Sequence, residues 1–494
     1  MSASEPARFH TIVVGAGSAG LTVAAGLTGL GRDVALIESG AVGGDCTNVG
    51  CIPSKTLITL ARAVAAAAPE ERADAARSAL AETRLRRDAL RAHEEAWLAE
   101  MPRLTLLRGH ARLLRGERAG CEVELRAADG AVRRLTADRV VLATGSRPIV
   151  PPLPGLESGT GDDRAALTNA TLFDLEAPPK HLAILGGGAI GCEMAFAFAR
   201  LGSRVTIVEM ADRVLPGAEA AASSTVQARL EALGVRVLVD TKALEVDLAA
   251  GRVRVAHARA GHTAEAVSID GVERLLIAVG RRPVSDALGL AEAGVKVDAR
   301  GAVIVDGAYR TTVAGVYAIG DLVGAVHTHV ANAQGRRLVR FLTLPLPLLP
   351  EGDHPSVAFV EPEVGQVGPT LAQLRRRWPD ALLAVHKVPL SGTDRGRTSG
   401  LEDGFVQLVA MRLSGRLLAA TVVAPNASEM LPLLSWAQRR RVSLWQLARL
   451  EVAYPALSDA IKQAANGFVF ASLARFRSEL ATYLRWRWRR GPRG

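Results

Sequence analysis

Cysteine is scarce in this 494-residue chain, with four residues, Cys46, Cys51, Cys121 and Cys192, and none beyond Cys192. A disulfide scaffold of the kind that staples small secreted domains is thereby excluded. Two thiols as close as Cys46 and Cys51 therefore need a chemical explanation. Long apolar runs are missing too. No run reaches the roughly 18 residues a bilayer span requires, and the stretch 341–350 is short and broken by prolines. A strand-like run begins at Thr11 with no charged and apolar leader before it, so no secretory signal is expected and the cytoplasm is the expected compartment. Compositional bias is also absent: 49% hydrophobic residues, 22% charged residues and 48 glycines describe an ordinary globular protein. The length exceeds one core and predicts about three domains. A net charge of +10 admits a nucleic-acid or membrane-surface partner. Arginine-rich composition is common without either, and no nucleic-acid partner is expected.

What the chain does have is a glycine string that occurs twice, Gly15-Ala16-Gly17-Ser18-Ala19-Gly20 and Gly186-Gly187-Gly188-Ala189-Ile190-Gly191. Each follows a short apolar run and opens an alanine-rich segment of helical pattern, and each has an acid eighteen residues beyond its last glycine, Glu38 and Glu209. The first glycine permits a tight turn, the second admits a pyrophosphate, and the third lets helix pack on strand. The helix N-terminus then offers free N–H groups to phosphate, while the acid takes ribose hydroxyls. Two complete units of this kind predict two dinucleotide sites. Residues 56–101 read as one or two amphipathic helices, and the runs 140–145 and 275–280 as buried strands ending in glycine, where the chain passes between dinucleotide-binding domains. From about His354, alternating runs followed by helices predict an α+β domain with an antiparallel sheet.

Directly after the first unit comes Gly43-Gly44-Asp45-Cys46-Thr47-Asn48-Val49-Gly50-Cys51-Ile52-Pro53-Ser54-Lys55. Two thiols four residues apart can close a small ring, and Gly50 and Pro53 mark a helix starting near Cys51. A thiolate there is stabilised by the helix dipole and by Lys55 one turn on. A zinc half-site and a pair of inert thiols are the other readings. No Cys or His of fitting spacing lies nearby, and no metal site is expected.

This segment resembles the redox-active motif of the class I pyridine nucleotide-disulfide oxidoreductases, with dihydrolipoamide dehydrogenase-like and mercuric reductase-like members nearest. The resemblance covers about residues 9–470, including Ala143-Thr144-Gly145-Ser146-Arg147-Pro148, Val279-Gly280-Arg281-Arg282-Pro283 and Ala318-Ile319-Gly320-Asp321. It implies an α/β fold of two Rossmann-like dinucleotide-binding domains plus an α+β C-terminal dimerisation domain. It implies FAD and NAD as cofactors, with NADP the alternative. Hydride would pass from nicotinamide to FAD and on to Cys51, with Cys46 the outer thiol and Lys55 paired with Glu193 beside the flavin. Cofactor contacts carry over to Gly15, Gly17, Ser18, Gly20, Glu38, Gly44, Lys55, Ala111, Thr144, Gly145, Gly186, Gly188, Ile190, Gly191, Glu209, Gly280, Asp321 and Thr328. Asp321 would hold the ribityl chain. Glu209 favours NADH, because a carboxylate repels a 2′-phosphate, although Arg204 and Arg213 stand close in sequence.

The chain also departs from that pattern. Where dihydrolipoamide dehydrogenase-like proteins place a histidine and then a glutamate, it has Tyr454 and Asp459, carried over as catalytic positions. A phenol of pKa about 10 does not shuttle protons at neutral pH as an imidazole near 6.5 does, so dithiol oxidation is expected to be slow. Mercury-detoxifying relatives carry a C-terminal cysteine pair and an N-terminal metal-binding domain, and neither occurs here. Asp45 is expected to raise the pKa of Cys46 by its charge, and Cys121 and Cys192 to be buried structural thiols. From Gly467 to Gly494 seven arginines face one glutamate, and Val469, Leu473, Phe476, Leu480 and Leu484 recur at helical spacing with Trp486 and Trp488 beyond. This end reads either as a solvated tail or as an amphipathic helix making weak membrane-surface contact.

The expected organisation is a homodimer. Its FAD domain comprises residues 1–150 and 281–350, its NAD(P) domain 151–280 and its dimerisation domain 351–470, with a basic tail over 471–494. The expected activity is NADH-dependent reduction of a small-molecule disulfide, a metal ion or a quinone. Dihydrolipoamide dehydrogenase is the alternative, and a membrane- or nucleic-acid-binding flavoprotein the alternative of another class.

Overall fold

The computed structural model describes residues 7–117, 120–156, 165–257, 266–324, 327–344 and 352–489, with side chains through 478. The chain forms two compact units, Met1–Met210 with Leu233–Pro350, and Ala211–Ala232 with Glu351–Gly494.

The first unit holds two sheets of dinucleotide-binding type. In the larger, parallel strands Leu104–Arg108, Val34–Glu38, Ala7–Val14 and Val132–Leu142 lie side by side, and Val316–Ala318 also pairs parallel to Val132–Leu142. The chain then adds Gly120–Arg126 and His110–Glu117 antiparallel at the edge. Because side chains alternate across a strand, Ile12, Val14, Ala35 and Ile37 feed one apolar layer, while Val13, Val34 and Leu36 feed the other against helix Ser18–Gly29. Burial on both faces is why these strands read as unbroken apolar runs. The smaller sheet, in the order Arg236–Leu238, Arg204–Val208, His181–Leu185, Arg274–Ile277, Ala166–Leu167, is parallel throughout. Just past the two glycine-ended strands, Ser146–Pro148 and Arg281–Pro283 pair antiparallel, so the outgoing and returning passes of the chain lie side by side.

The expected amphipathic stretch is two helices, Cys51–Ala66 and Arg72–Ala99. Gly44–Ala66 is long and on average apolar enough to span a membrane, although it is no unbroken apolar run, since it carries Asp45, Lys55 and Arg62. Its apolarity has another cause. The segment breaks at Gly50, and Leu57, Ile58, Ala61 and Val64 are buried in the protein.

The second unit is built on an antiparallel sheet in the order Ser356–Ala358, Glu363–Val367, Leu417–Ala424, Phe405–Met411, Leu383–Pro389. Helices Ala427–Arg439 and Asp459–Arg489 cover it, contributing Leu431, Leu434, Ile461, Ala465 and Phe468 to the core. The last helix continues well past this buried patch. Phe470, Leu473 and Phe476 on it are exposed, whereas Leu480, Leu484, Trp486 and Trp488 lie outside the residues whose side chains are described.

Candidate active site

The two glycine strings fold into the same turn. Gly15 and Gly186 both take φ +104°, and a Cβ on either would press on a strand carbonyl, Ala143 O at 2.4 Å or Ala278 O at 2.5 Å. Gly20 and Gly191 sit so close to that turn that a Cβ would lie 1.9 Å from the carbonyl oxygen of Gly15 or Gly186 respectively. No other residue fits at these four positions. Gly17 and Gly188 precede helices Ser18–Gly29 and Ala189–Arg200, where no side chain caps the free N–H groups. At Gly188, with Ile190 partly exposed beside it, a Cβ would meet nothing within 4 Å, so the backbone is open to a phosphate. The acids close each unit alike: Glu38 Oε2 accepts from Ala16 N at 2.6 Å, and Glu209 Oε2 from Gly187 N at 2.5 Å.

A cleft of about 410 Å³ runs from Glu38 past Gly15, Gly17 and Ser18, and past Thr144 and Gly145, to Gly44, Cys46, Asp321 and Thr328. A second hollow of about 520 Å³ shares Gly15, Glu38 and Thr144 with it and extends to Ala111. Together they form an elongated groove with glycine backbone at its middle and thiol at its end. Asn48 Oδ1 in the cleft wall is buried without a hydrogen-bond partner. Asp321, with Ser146 Oγ donating to it at 2.6 Å, has its carboxyl pushed up by burial. The residues present thus fit FAD, with polar groups placed for a ligand at both its phosphate and its ring end. Gly280, at φ +143°, lies three residues beyond strand Arg274–Ile277.

Cys46, in the short helix Gly44–Asn48, lines the inner end of the cleft, and Cys51, first residue of helix Cys51–Ala66, lines an adjoining pocket of about 170 Å³ together with Cys46, Lys55 and Glu193. Gly50 between them leaves no room for a side chain, since a Cβ would lie 2.7 Å from Asp45 O. Both cysteines are free thiols. The Cys51 thiol is held down at about 6, first by the hydrogen bond from Cys46, then by Thr328 and the Lys55 ammonium, against the opposing effect of burial. The same hydrogen bond, with burial, pushes the Cys46 thiol up. Thr328 Oγ1 lies 3.3 Å from Cys51 Sγ, and Lys55 Nζ lies 2.8 Å from Glu193 Oε2, a carboxylate only 5% exposed.

Asp45 differs from expectation. Its carboxylate is paired with Arg281, and the leading causes of the raised Cys46 pKa are the hydrogen bond with Cys51 and burial. Arg281 itself and Asn169 are site residues that sequence reasoning missed. In the second unit, exposed Tyr454 donates its hydroxyl to Asp394 Oδ2 at 3.0 Å, which raises the phenol pKa, while Asp459 accepts from Gln463 Nε2 at 2.7 Å. Asp394 gave no sign in the sequence, since it lies far upstream of the tyrosine. Cys121 and Cys192 are buried.

Residues 9–335 match the family described as pyridine nucleotide-disulphide oxidoreductase, and residues 354–465 match its dimerisation domain. Mercuric reductase of Acidithiobacillus ferrooxidans is 32% identical over 483 residues, which cover 94% of this chain and 84% of that protein. Dihydrolipoyl dehydrogenase of Geobacillus stearothermophilus is 32% identical over 468 residues, covering 92% and 95%. Among solved structures, the Cu(II) complex of RclA, an HOCl-induced flavoprotein disulfide reductase from Escherichia coli, superposes with a TM-score of 0.81 at 26% identity over 93% of this chain and 99% of that one. LpdA from Mycobacterium tuberculosis gives 0.81 at 27% identity with the same coverage.

Proposed function

The chain belongs to the pyridine nucleotide-disulphide oxidoreductases, FAD-dependent enzymes that use a pyridine nucleotide, and we propose that within them it is an NADH-driven reductase delivering electrons through Cys46 to a small disulfide or a soft metal ion. The observation that carries this reading is the asymmetry of the two thiols. Hydride from NADH brings two electrons and one proton, so a Cys46–Cys51 disulfide that receives them opens to one thiol and one thiolate. FAD, held along the cleft by the Gly15–Gly20 turn, Glu38 and Asp321, would supply the relay for the electron pair. A Cys51 held near 6 and a Cys46 pushed up favour that product, with the charge on Cys51 and the proton on Cys46. Cys46 then gives up its proton and attacks the acceptor: a disulfide acceptor leaves as one thiol, which takes that proton, and one thiolate, which is protonated from water, or a metal ion takes the electron pair and the proton passes to water, and in either case the Cys46–Cys51 bond re-forms.

Tyr454 sets the direction. Its phenol, tethered to Asp394 and raised further, replaces the group that would take protons from a dithiol substrate. Soft thiolates suit soft cations, and the relatives include a mercuric reductase and a reductase solved with Cu(II). A quinone is the remaining acceptor class. NADH is favoured over NADPH because Glu209 stands at the nucleotide turn while Arg204 is engaged with His181 and with the Asp270 carbonyl. We assign FAD binding to residues 1–150 and 281–350, nucleotide binding to 151–280 and homodimer formation to 351–470. The protein works in the cytoplasm, with the exposed apolar positions of the last helix favouring contact between its basic end and the inner membrane face.

Purified enzyme with NADH, screened against small disulfides, Hg²⁺, Cu²⁺, quinones and lipoamide, tests the reading. Turnover with a disulfide or metal ion, and dihydrolipoamide oxidation that is slow until Tyr454→His raises it by about 10²-fold or more, is the expected result. Dihydrolipoamide oxidation by the unmodified enzyme at roughly 10 to 10³ per second would overturn it.

A further inference from the structure

Arg281, only 18% exposed in its side chain, binds four acceptors. Its Nε donates to Ser146 Oγ at 2.8 Å, one Nη to Asn169 Oδ1 at 3.1 Å, and the other to the Ser146 carbonyl at 2.8 Å and to the Asp45 carboxylate. Asn169 turns its amide the other way and donates from Nδ2 to the Val49 carbonyl at 3.0 Å. Asp45 and Val49 bracket Cys46, one immediately before it and the other at the C-terminal end of the short helix Gly44–Asn48. A five-residue helix has no core of its own and little intrinsic stability. Its position must come from what grips its ends.

We propose that Asp45 and Asn169 are positioning residues that hold the Cys46 segment against Cys51, Asp45 through Arg281 at the front of the segment and Asn169 through the Val49 carbonyl at its back. The proposal rests on the reading of Cys46 and Cys51 as the redox pair. Arg281 is a suitable anchor because it follows a strand of the rigid five-stranded sheet and is joined through Ser146 to Asp321, so the thiol segment is tied to the same scaffold as the flavin-side carboxylate. A planar guanidinium with several fixed donors holds such a geometry better than a flexible ammonium would.

A purely electrostatic role for Asp45 makes the opposite forecast. Taking away its charge while leaving Arg281 in place would favour thiolate and lower the Cys51 pKa. Loss of the grip instead lets Cys46 drift, weakens its hydrogen bond to Cys51 and raises that pKa. The test is a pH titration of the long-wavelength thiolate-to-flavin absorption band of NADH-reduced holoenzyme, for the unmodified protein, Asp45→Ala and Asn169→Ala. Both variants should move the midpoint upward by about half a unit or more, the size of a weakened hydrogen bond. Asn169→Ala changes no charge, so its shift is free of the electrostatic effect and carries the test alone if Asp45→Ala does not retain flavin. A midpoint that stays or falls in Asp45→Ala with flavin bound, or stays in Asn169→Ala, overturns the proposal. Absence of the band from the unmodified enzyme would instead remove the redox-pair reading beneath it.

Discussion

Thr328 Oγ1 lies 3.3 Å from Cys51 Sγ, at the meeting point of two helix N-termini, Thr328–Thr343 and Cys51–Ala66. Neither helix end is capped by a side chain, and the partial positive charge of a helix N-terminus favours a thiolate close to it. A thiolate at this point is stabilised from two directions, and Lys55 adds a third.

That arrangement sets a pH dependence. Cys51 has a lowered pKa, so its thiolate is present above about 6 and is lost as pH falls through that value. The thiolate-to-flavin band of reduced enzyme should fade in the same window. Cys51→Ser should abolish the band at every pH, and Thr328→Val should raise the midpoint by up to about one unit, since one hydrogen bond to the thiolate is lost. A band that persists in Cys51→Ser would reassign the flavin-facing thiol.

The duplicated turn permits a paired experiment. Gly20→Ala and Gly191→Ala each drive a methyl to within 1.9 Å of a carbonyl oxygen, but in different sites. Gly20→Ala should emerge from gel filtration without flavin. Gly191→Ala should keep its yellow colour and lose NADH affinity by about 10²-fold or more, the effect of a backbone clash of several kcal/mol. Equal loss of flavin in both would show that the second site does not act independently.

Nucleotide preference should follow Glu209. Glu209→Ala should narrow the ratio of kcat/KM for NADH over NADPH by about tenfold, equivalent to about 1.4 kcal/mol of relieved repulsion. Preference for NADPH in the unmodified enzyme would contradict the assignment.

The basic end can be tested by co-sedimentation with liposomes, comparing the full chain with one ending at Gly467. Seven arginines follow that point. At about 1 kcal/mol for each arginine near an anionic surface, even three or four engaged together should give clear, salt-sensitive binding that the shortened protein lacks. Equal binding of both, or of neither at low salt, would leave the tail as solvated chain.

Local constraints explain what was legible in the sequence. A turn that needs positive φ at Gly15 and Gly186, and contact without a Cβ at Gly20 and Gly191, leaves glycines at fixed spacing whatever the rest of the chain does. The cysteine pair is equally local, as is its helix start after Gly50. Asp45 was misjudged because its charge was weighed against its sequence neighbour Cys46, whereas its partner Arg281 lies 236 residues away. Asp394 and Tyr454 meet across 60 residues for the same reason. Partners brought together by tertiary structure leave no periodicity and no spacing to read. Gly44–Ala66 reaches the average apolarity of a membrane span because burial inside a protein and burial in a bilayer select the same residues.

The split between the two thiols also fixes how the enzyme responds to the acidity of its surroundings. With Cys51 ionised above about 6 and Cys46 still protonated, reduction of the pair takes up one proton for two electrons. Its midpoint potential therefore falls by about 30 mV per pH unit, half the slope of a dithiol that binds both protons. NADH oxidation releases one proton for two electrons and has the same slope. Donor and disulfide thus keep step as pH varies, and the driving force of the first half-reaction stays constant across the neutral range.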